Sequence, residues 1–446
     1  MLPVARWIQE VDSLIKAGES RHVREAFAKL DLEKIPRAAL LPIATLARRA
    51  NLPQLTLKIL HPIVRRGNSE PSVAERAEYA AALSFIGSGG EALALLEQLD
   101  PKHCPDVLLY RCFALFAQWN YVSALPLLNL YLEYDLDPYK RLVGNLNLAA
   151  ALVHERFYSQ ASEILRGILE QAEAQNLDLI RGNALELRAQ NALFQGLLST
   201  AEQYLFEAEA HLQKTGGIYT LFVRKWKAIV NLKQGAERGD PSDGIQALRK
   251  VRIDALARKH WETVRDCDRH EATTLRKQEI LWKVYFGTPY SSYRKTLLRE
   301  FHQEGLKIPE AYFRNFQTGF EPDIILNPAQ GTAIHKSDED RTHTINFSFA
   351  RLPIVQNVLI VLSTDFYSPF RLPQIFEQLY PGEHYVPGES AEKAYLTISQ
   401  AREWLKENNV PLAIVESKSF YSLESQEKVA IMVPRDLEVK ALSEAA

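Results

Sequence analysis

The segments GLLSTAEQYLFEA (196–208) and ERFYSQASEIL (155–165) share one spacing: a small residue, a large apolar residue four positions on, and another apolar residue three beyond that. They give Ala201, Leu205, Ala208 and, with the next turn, Ala161, Leu165, Ile168. Offsets of four and seven put all three side chains on one face of a helix, where a neighbouring helix can pack. Working outward, the spacing recurs at Ala124, Leu128, Tyr131; Ala92, Leu96, Leu99; Thr56, Leu60, Ile63; and Val23, Phe27, Leu30. Successive first positions are separated by 33, 36, 32, 37 and 40 residues. Each triplet follows a turn-prone step (AGES, RANLP, IGSGG, AQWNY, HERFY, QGLLS), and another helical stretch, such as RGNALELRAQNALF, often precedes that step. The unit is helix, short turn, helix. One such hairpin cannot bury its apolar face alone, so the units must stack.

This pattern resembles the tetratricopeptide repeat family. The match is strongest at Gly196, Ala201, Leu205 and Ala208, at Tyr158, Ala161 and Leu165, and at Gly89, Ala92 and Leu96. The family's aromatic on the first helix and the proline ending each repeat are mostly missing, which marks divergent copies. The resemblance implies a right-handed α-solenoid over residues 1–233, whose first helices line a concave groove for a peptide or partner helix. By position Tyr110, Asn147, His154, Asn183 and Gln190 would face that groove, with Arg224 and Lys227 next along. Amides there can bond a peptide backbone and cations can receive a carboxylate; the bland alternative is solvated side chains or bonds between repeats.

QGAERGDPSDG (234–244), with three glycines and a proline, breaks the array. A long helical pattern follows from Ile245 to about Val284, with Leu248, Val251, Leu256 and Trp261 among its apolar positions. YFGTPYSSYRKTLLREF (285–301) then turns at Gly287–Pro289 into a basic amphipathic helix. Residues 241–314 carry 15 basic and 10 acidic side chains. Residues 234–319 are therefore expected to be a helical, basic cap and linker, with His260 and His270 facing solvent. A basic helix of this kind is most often only a solvated face.

From Phe320 the texture changes. DIILN (323–327) and TINFSF (344–349) read as strands around the polar loop HKSDEDRTH (335–343). PIVQNVLIVLST (353–364) and RLPQIFEQLYP (371–381) read as helices, and AEKAYLTISQAREWLKEN (391–408) as a third helix after Ser390. PLAIVE (411–416), FYSLE (420–424) and VAIMV (429–433) read as closing strands. This order resembles the winged-helix output domain of OmpR/PhoB-type response regulators. ISQAREWLK is similar to that family's recognition helix, and the Ile414–Tyr421 hairpin to its wing. The resemblance spans about 110 residues and implies a small α+β domain over 320–434, followed by a tail, 435–446. It also implies DNA contacts from Lys393, Thr397, Gln400 and Arg402, with Lys418 reaching the backbone from the wing tip.

The sequence departs from that pattern. The third helix sets Lys393, Arg402 and Lys406 against Glu392, Glu403 and Glu407, and Phe420 stands where a glycine usually precedes the wing tyrosine. Residues 345–446 carry 9 basic and 13 acidic side chains, whereas DNA affinity rests largely on phosphate neutralisation. Two functions remain: an adaptor whose groove captures a protein while the winged helix is a second contact surface, and a DNA-binding transcriptional regulator with a repeat sensor. The mixed charge favours the adaptor.

The 446 residues, 46% hydrophobic and 24% charged with a net charge of −2, exclude a disordered or collagen-like chain. No apolar run suffices for a membrane span, and Arg6, Glu10 and Asp12 interrupt any export signal. Cys104, Cys112 and Cys267 form no CxxC pair, as in reduced structural thiols of a cytoplasm. The sequence lacks GxxxxGK[ST], GxGxxG, GxSxG and HExxH, so no enzyme, cofactor or metal is expected. His335, Asp338, Glu339, Asp340 and His343 lack regular ligand spacing and read as a surface loop.

Overall fold

A computed structural model describes residues 4–16, 19–65, 70–213, 218–303, 305–317, 319–336, 342–346 and 353–435. The chain divides into two compact units, 1–263 and 264–446. In the first unit, α1 (Val4–Lys16) and α2 (Ser20–Ala28) precede six helix pairs. These are α3 (Arg37–Arg49) with α4 (Pro53–Val64), α5 (Val73–Ile86) with α6 (Gly89–Glu97), and α7 (Asp106–Ala117) with α8 (Tyr121–Glu133). Then come α9 (Pro138–His154) with α10 (Tyr158–Ala174), α11 (Asp178–Phe194) with α12 (Leu198–Leu212), and α13 (Tyr219–Arg238) with α14 (Ser242–Ala257). From α3 to α14 each helix packs on the next, and first helices touch along the array, as in α3 with α5, α5 with α7, α9 with α11, and α11 with α13. This is a solenoid of helical pairs.

The repeated triplets form its core. All but Leu30 are buried, among them Ala161, Leu165 and Ile168 against Leu142, Ala149 and Ala184. The six turns within the pairs are alike. A left-handed residue (Asn51, Gly87, Trp119, Arg156, Gly196 or Gly239) ends each first helix. The next N–H then donates to the carbonyl five residues back: Ser88 to Leu83 at 3.0 Å, Phe157 to Leu152 at 2.8 Å, Leu197 to Ala192 at 2.9 Å. That bond satisfies a carbonyl the helix end would leave open.

The long helix expected from Ile245 to Val284 is three helices: α14, α15 (Trp261–Leu275) and α16 (Gln278–Phe286). Left-handed Lys259 and Arg276 break it. In the second unit α17 (Ser291–Gln303) leads into β1 (Ala311–Asn315), a strand where helical cap was expected. Then come β2 (Ile324–Asn327), β3 (Thr332–Lys336), β4 (Thr342–Asn346), α18 (Pro353–Ser363), β5 (Phe370–Arg371), α19 (Leu372–Leu379), α20 (Glu389–Glu407), β6 (Ala413–Ser417), β7 (Phe420–Glu424) and β8 (Val429–Pro434). His335 and His343 thus lie on paired strands, opposite one another, while Asp338, Glu339 and Asp340 fall outside the described residues.

One sheet has the order β1-β8-β2-β3-β4, the other β5-β7-β6. The closing strand β8 therefore leaves the hairpin and pairs antiparallel with β1 and parallel with β2. Helix α20 starts after Gly388; Ser390 lies inside it and its Oγ accepts from Val386 N at 2.8 Å instead of capping. At the hairpin tip Lys418 and Ser419 both have positive φ (52° and 65°) between paired Ser417 and Phe420, the two-residue turn that matches strand twist.

The charged middle folds inward. Residues 263–270 are all buried, with Arg265 at 0% exposure. Arg265 Nη2 donates to both Asp365 oxygens (2.9 and 2.8 Å), and Asp365 Oδ1 also accepts from Tyr367 N and Ser368 N. Arg269 pairs with Glu300, and Lys283 and the Tyr367 hydroxyl both donate to Asp268. His270, expected at the surface, is buried with Nε2 3.4 Å from Asp266. His260 is half-buried, and burial together with Arg258 holds its imidazole below the usual value.

Candidate functional site

The first helices of the solenoid carry the residues predicted to face the groove. Tyr110 is a correction: it is 8% exposed and belongs to a buried triad across α3, α5 and α7. Arg48 Nη2 donates to its hydroxyl at 2.9 Å, and that hydroxyl donates to Glu78 Oε2 at 2.8 Å. Arg48 Nε also bonds Glu78 Oε1. Both oxygens of the buried carboxylate are thereby filled by a cation and a phenol. Burial and the Glu78 charge push the Tyr110 phenol well above its ordinary value. Its role is to clamp three helices.

His154 ends α9 with its ring stacked on Tyr121 (centroids 4.0 Å) and near Trp119 (5.9 Å). Trp119 Nε1 donates to Glu262 Oε2 at 3.1 Å, bringing the start of α15 to the α7–α8 turn. Asn147 is half-buried and donates to Val143 O, in its own helix, at 2.8 Å. Arg224 pairs with Asp254, and Lys227 Nζ lies 2.5 Å from Glu209 Oε2, so these two cations are already matched. Asn183 and Gln190 are half-buried on α11.

Between Asn183 and Gln190 the structure places a residue that sequence reasoning passed over. Glu186 stands at offsets of three and four from them, on the same helical stripe. It is 8% exposed. Trp226 Nε1 of α13 donates to its Oε1 at 3.0 Å, and Gln190 Nε2 donates to the same oxygen at 3.2 Å. Burial raises its carboxyl to about 7; the Lys225 charge and the two hydrogen bonds offset part of that rise. The Lys225 ammonium lies 4.0 Å from the Trp226 ring centroid. Among the described residues Glu186 Oε2 accepts no hydrogen bond and no ion pair reaches Glu186. A glutamate amid alanines and leucines in NALELRAQNAL was the available signal.

In the second unit, the predicted DNA contacts do not form a free set. Lys393 Nζ is held by Glu383 (2.7 and 2.8 Å) over the Tyr380 ring. Thr397 is buried, its hydroxyl 2.6 Å from that of Tyr380. Arg402 Nε donates to Ile414 O at 2.9 Å, tying α20 to β6. Thr397 is a correction, its side chain being buried; Lys393 is exposed with its ion pair at the surface, and Arg402 is half-buried. Gln400 and Lys418 are exposed. Beside Gln400, Tyr395 and Leu396 are also exposed, at 45% and 56%.

Among the described residues no group of three or more His, Cys, Asp or Glu side chains is placed to hold a metal ion, and no helix is long and apolar enough to cross a membrane. Among the described residues no disulfide joins Cys104, Cys112 or Cys267, and Cys112 and Cys267 are buried.

No family model matches the chain, and no curated protein matches it. Among solved structures it is similar to a Rap protein complexed with competence and sporulation factor, at 15% identity and TM-score 0.42, covering 68% of this chain and 92% of that one. It is also similar to the apo form of RapI, at 14% identity and TM-score 0.36, with the same coverage. At this distance the likeness assigns neither a ligand nor a partner to the present chain.

Proposed function

We propose that the chain is a non-enzymatic adaptor, a tetratricopeptide-like solenoid whose inner helices hold a peptide or partner segment, with a winged-helix module as a second protein-contact surface. The observation that carries this reading is the surface of α20. Its predicted DNA contacts Lys393, Thr397 and Arg402 are engaged within the module, while Tyr395 and Leu396 stand exposed on the same helix. An apolar centre between charged residues is the make-up of a protein interface, and phosphate binding needs free cations.

The order α18, β5, α19, α20, β6, β7 with strand order β5-β7-β6 supports the winged-helix description, and that topology keeps DNA-binding transcriptional regulation as the second reading. The two separate in one experiment on the full chain, since Asp365 of the helical module is bonded to Arg265 outside residues 320–446. Binding to a mixed DNA duplex pool is followed by anisotropy from 50 to 200 mM salt, and retention of a hexapeptide library is measured in parallel. The adaptor reading expects retained peptides and a flat, weak DNA titration. Steeply salt-dependent DNA binding without peptide retention would replace it with the regulator.

A further inference from the structure

Three glutamates are buried in the inner helices, and they are treated differently: Glu75 pairs with Arg37 and accepts from Ser72 N at the start of α5. Glu78 has both oxygens filled, by Arg48 and Tyr110. Glu186 has one oxygen filled, and by neutral donors, an indole and an amide. A carboxylate withdrawn from water is stable only when a cation or several donors replace the lost hydration. The two neutral donors fix the direction of the Glu186 carboxylate and leave Oε2 open among the described residues.

We propose that Glu186 is the anchor for a cationic nitrogen of the bound peptide, an ammonium or guanidinium that donates to Oε2. This deepens the adaptor reading and rests on it. The surroundings suit such a group. Phe194 packs against the Trp226 ring, and Tyr219 of α13 is near enough to the carboxylate to feel its charge. Cations are drawn to such rings, more so when water is excluded. Asn183 and Gln190 flank the anchor one helical turn to either side, where amides can take the peptide backbone. Lys225 is the charged neighbour that competes, and it is occupied over the Trp226 ring.

The test uses the full chain and a hexapeptide library prepared with free and with acetylated N-termini. Retained peptides are expected to be enriched in lysine or arginine at one position, or in free over acetylated ends, which tells a side chain from a terminus. For an individual retained peptide, replacing arginine by citrulline, lysine by norleucine, or the free end by an acetylated one lowers affinity about thirtyfold or more, as for other buried charge pairs that lose one partner. Glu186→Gln, which keeps the acceptor for Trp226, removes the cationic preference, and Lys225→Met strengthens it. Peptides retained without cationic preference, or a preference that Glu186→Gln leaves intact, would overturn the anchor while the groove stands. No retention of any peptide would overturn both.

Discussion

Replacing Glu186 by glutamine should stabilise the protein, and by an amount that depends on pH. The carboxyl moves from 4.5 to about 7 on folding because burial disfavours its charge. At about 1.36 kcal/mol per pH unit, that displacement corresponds to about 3 kcal/mol. The sign follows from linkage. Between pH 4.5 and 7 the folded protein holds the proton more tightly than the unfolded chain, so stability from this group falls as pH rises. The full cost is present above pH 7 and is relieved as pH drops towards 4.5. Glutamine keeps the shape and the acceptor for the Trp226 indole but never ionises. The difference between Glu186→Gln and the parent should therefore grow by about 3 kcal/mol from pH 4.5 to pH 8. In a unit of this size that is roughly 6–12 °C in Tm. Far-UV circular dichroism melts of both proteins at pH 4.5, 6, 7 and 8 read it directly, because every other titrating group cancels in the comparison. A difference that stays flat across this range would refute the reasoning: Glu186 would then be solvated, and the desolvated anchor would fall with it.

Arg265→Met should lower the stability of the second unit by about 3–5 kcal/mol in urea unfolding, because it strands the buried Asp365 carboxylate; a loss under 1 kcal/mol would show that this pair contributes little. Gly244→Ala would set a Cβ 2.3 Å from Leu232 Cα, on backbone that cannot yield, and should cost about 2–3 kcal/mol, whereas Gly167→Ala meets nothing within 4 Å in mid-helix and should gain about 0.5–1 kcal/mol. Arg402→Ala removes the bond to Ile414 O and should cost about 1–2 kcal/mol of stability with no change in the salt dependence of DNA binding, since that side chain faces the hairpin.

The solenoid was legible because its signal is local. The 4 and 7 offsets name the buried face within one helix, and the turn residues Gly87 and Gly196 announce the left-handed ends. FYSLE at 420–424 became β7 residue for residue for the same reason. What failed was whatever depends on a distant partner. Tyr110 reads as a polar aromatic on an inner helix until Arg48, 62 residues earlier, fills its hydroxyl. His270 reads as a solvent-facing side chain until Asp266 is carried inside with it, in a segment where Arg265 is bonded to Asp365, 100 residues downstream. AYFRN at 311–315 carries only five residues of strand signal, and its pairing strand β8 lies over a hundred residues away. Lys259 and Arg276 end helices without the glycine that would have flagged them. Glu186 was hidden differently: its own neighbours Asn183 and Gln190 were picked out for polarity, while the single acid between them was passed over.

The distribution of charge in the second unit bears on the choice between partners. The basic excess over 241–314 would be an electrostatic footprint for nucleic acid if it were free. Part of it is not: Arg265 is matched by Asp365 from outside that range, while Arg269 and Lys283 take Glu300 and Asp268 from among its own acids. On α20 and its hairpin, Lys393 answers Glu383 and Arg402 answers a carbonyl, which leaves Lys406 and Lys418 as the exposed cations without such a partner among the described residues. Two phosphate contacts give a salt slope of about −2, shallow for a sequence reader. The same helix exposes Tyr395 and Leu396 between Glu392 and Glu403. Docking that face against DNA would set acids and apolar rings against phosphate. Docking it against a protein with an apolar pocket and a basic rim would bury the rings and match the acids, and the charge pattern favours that arrangement.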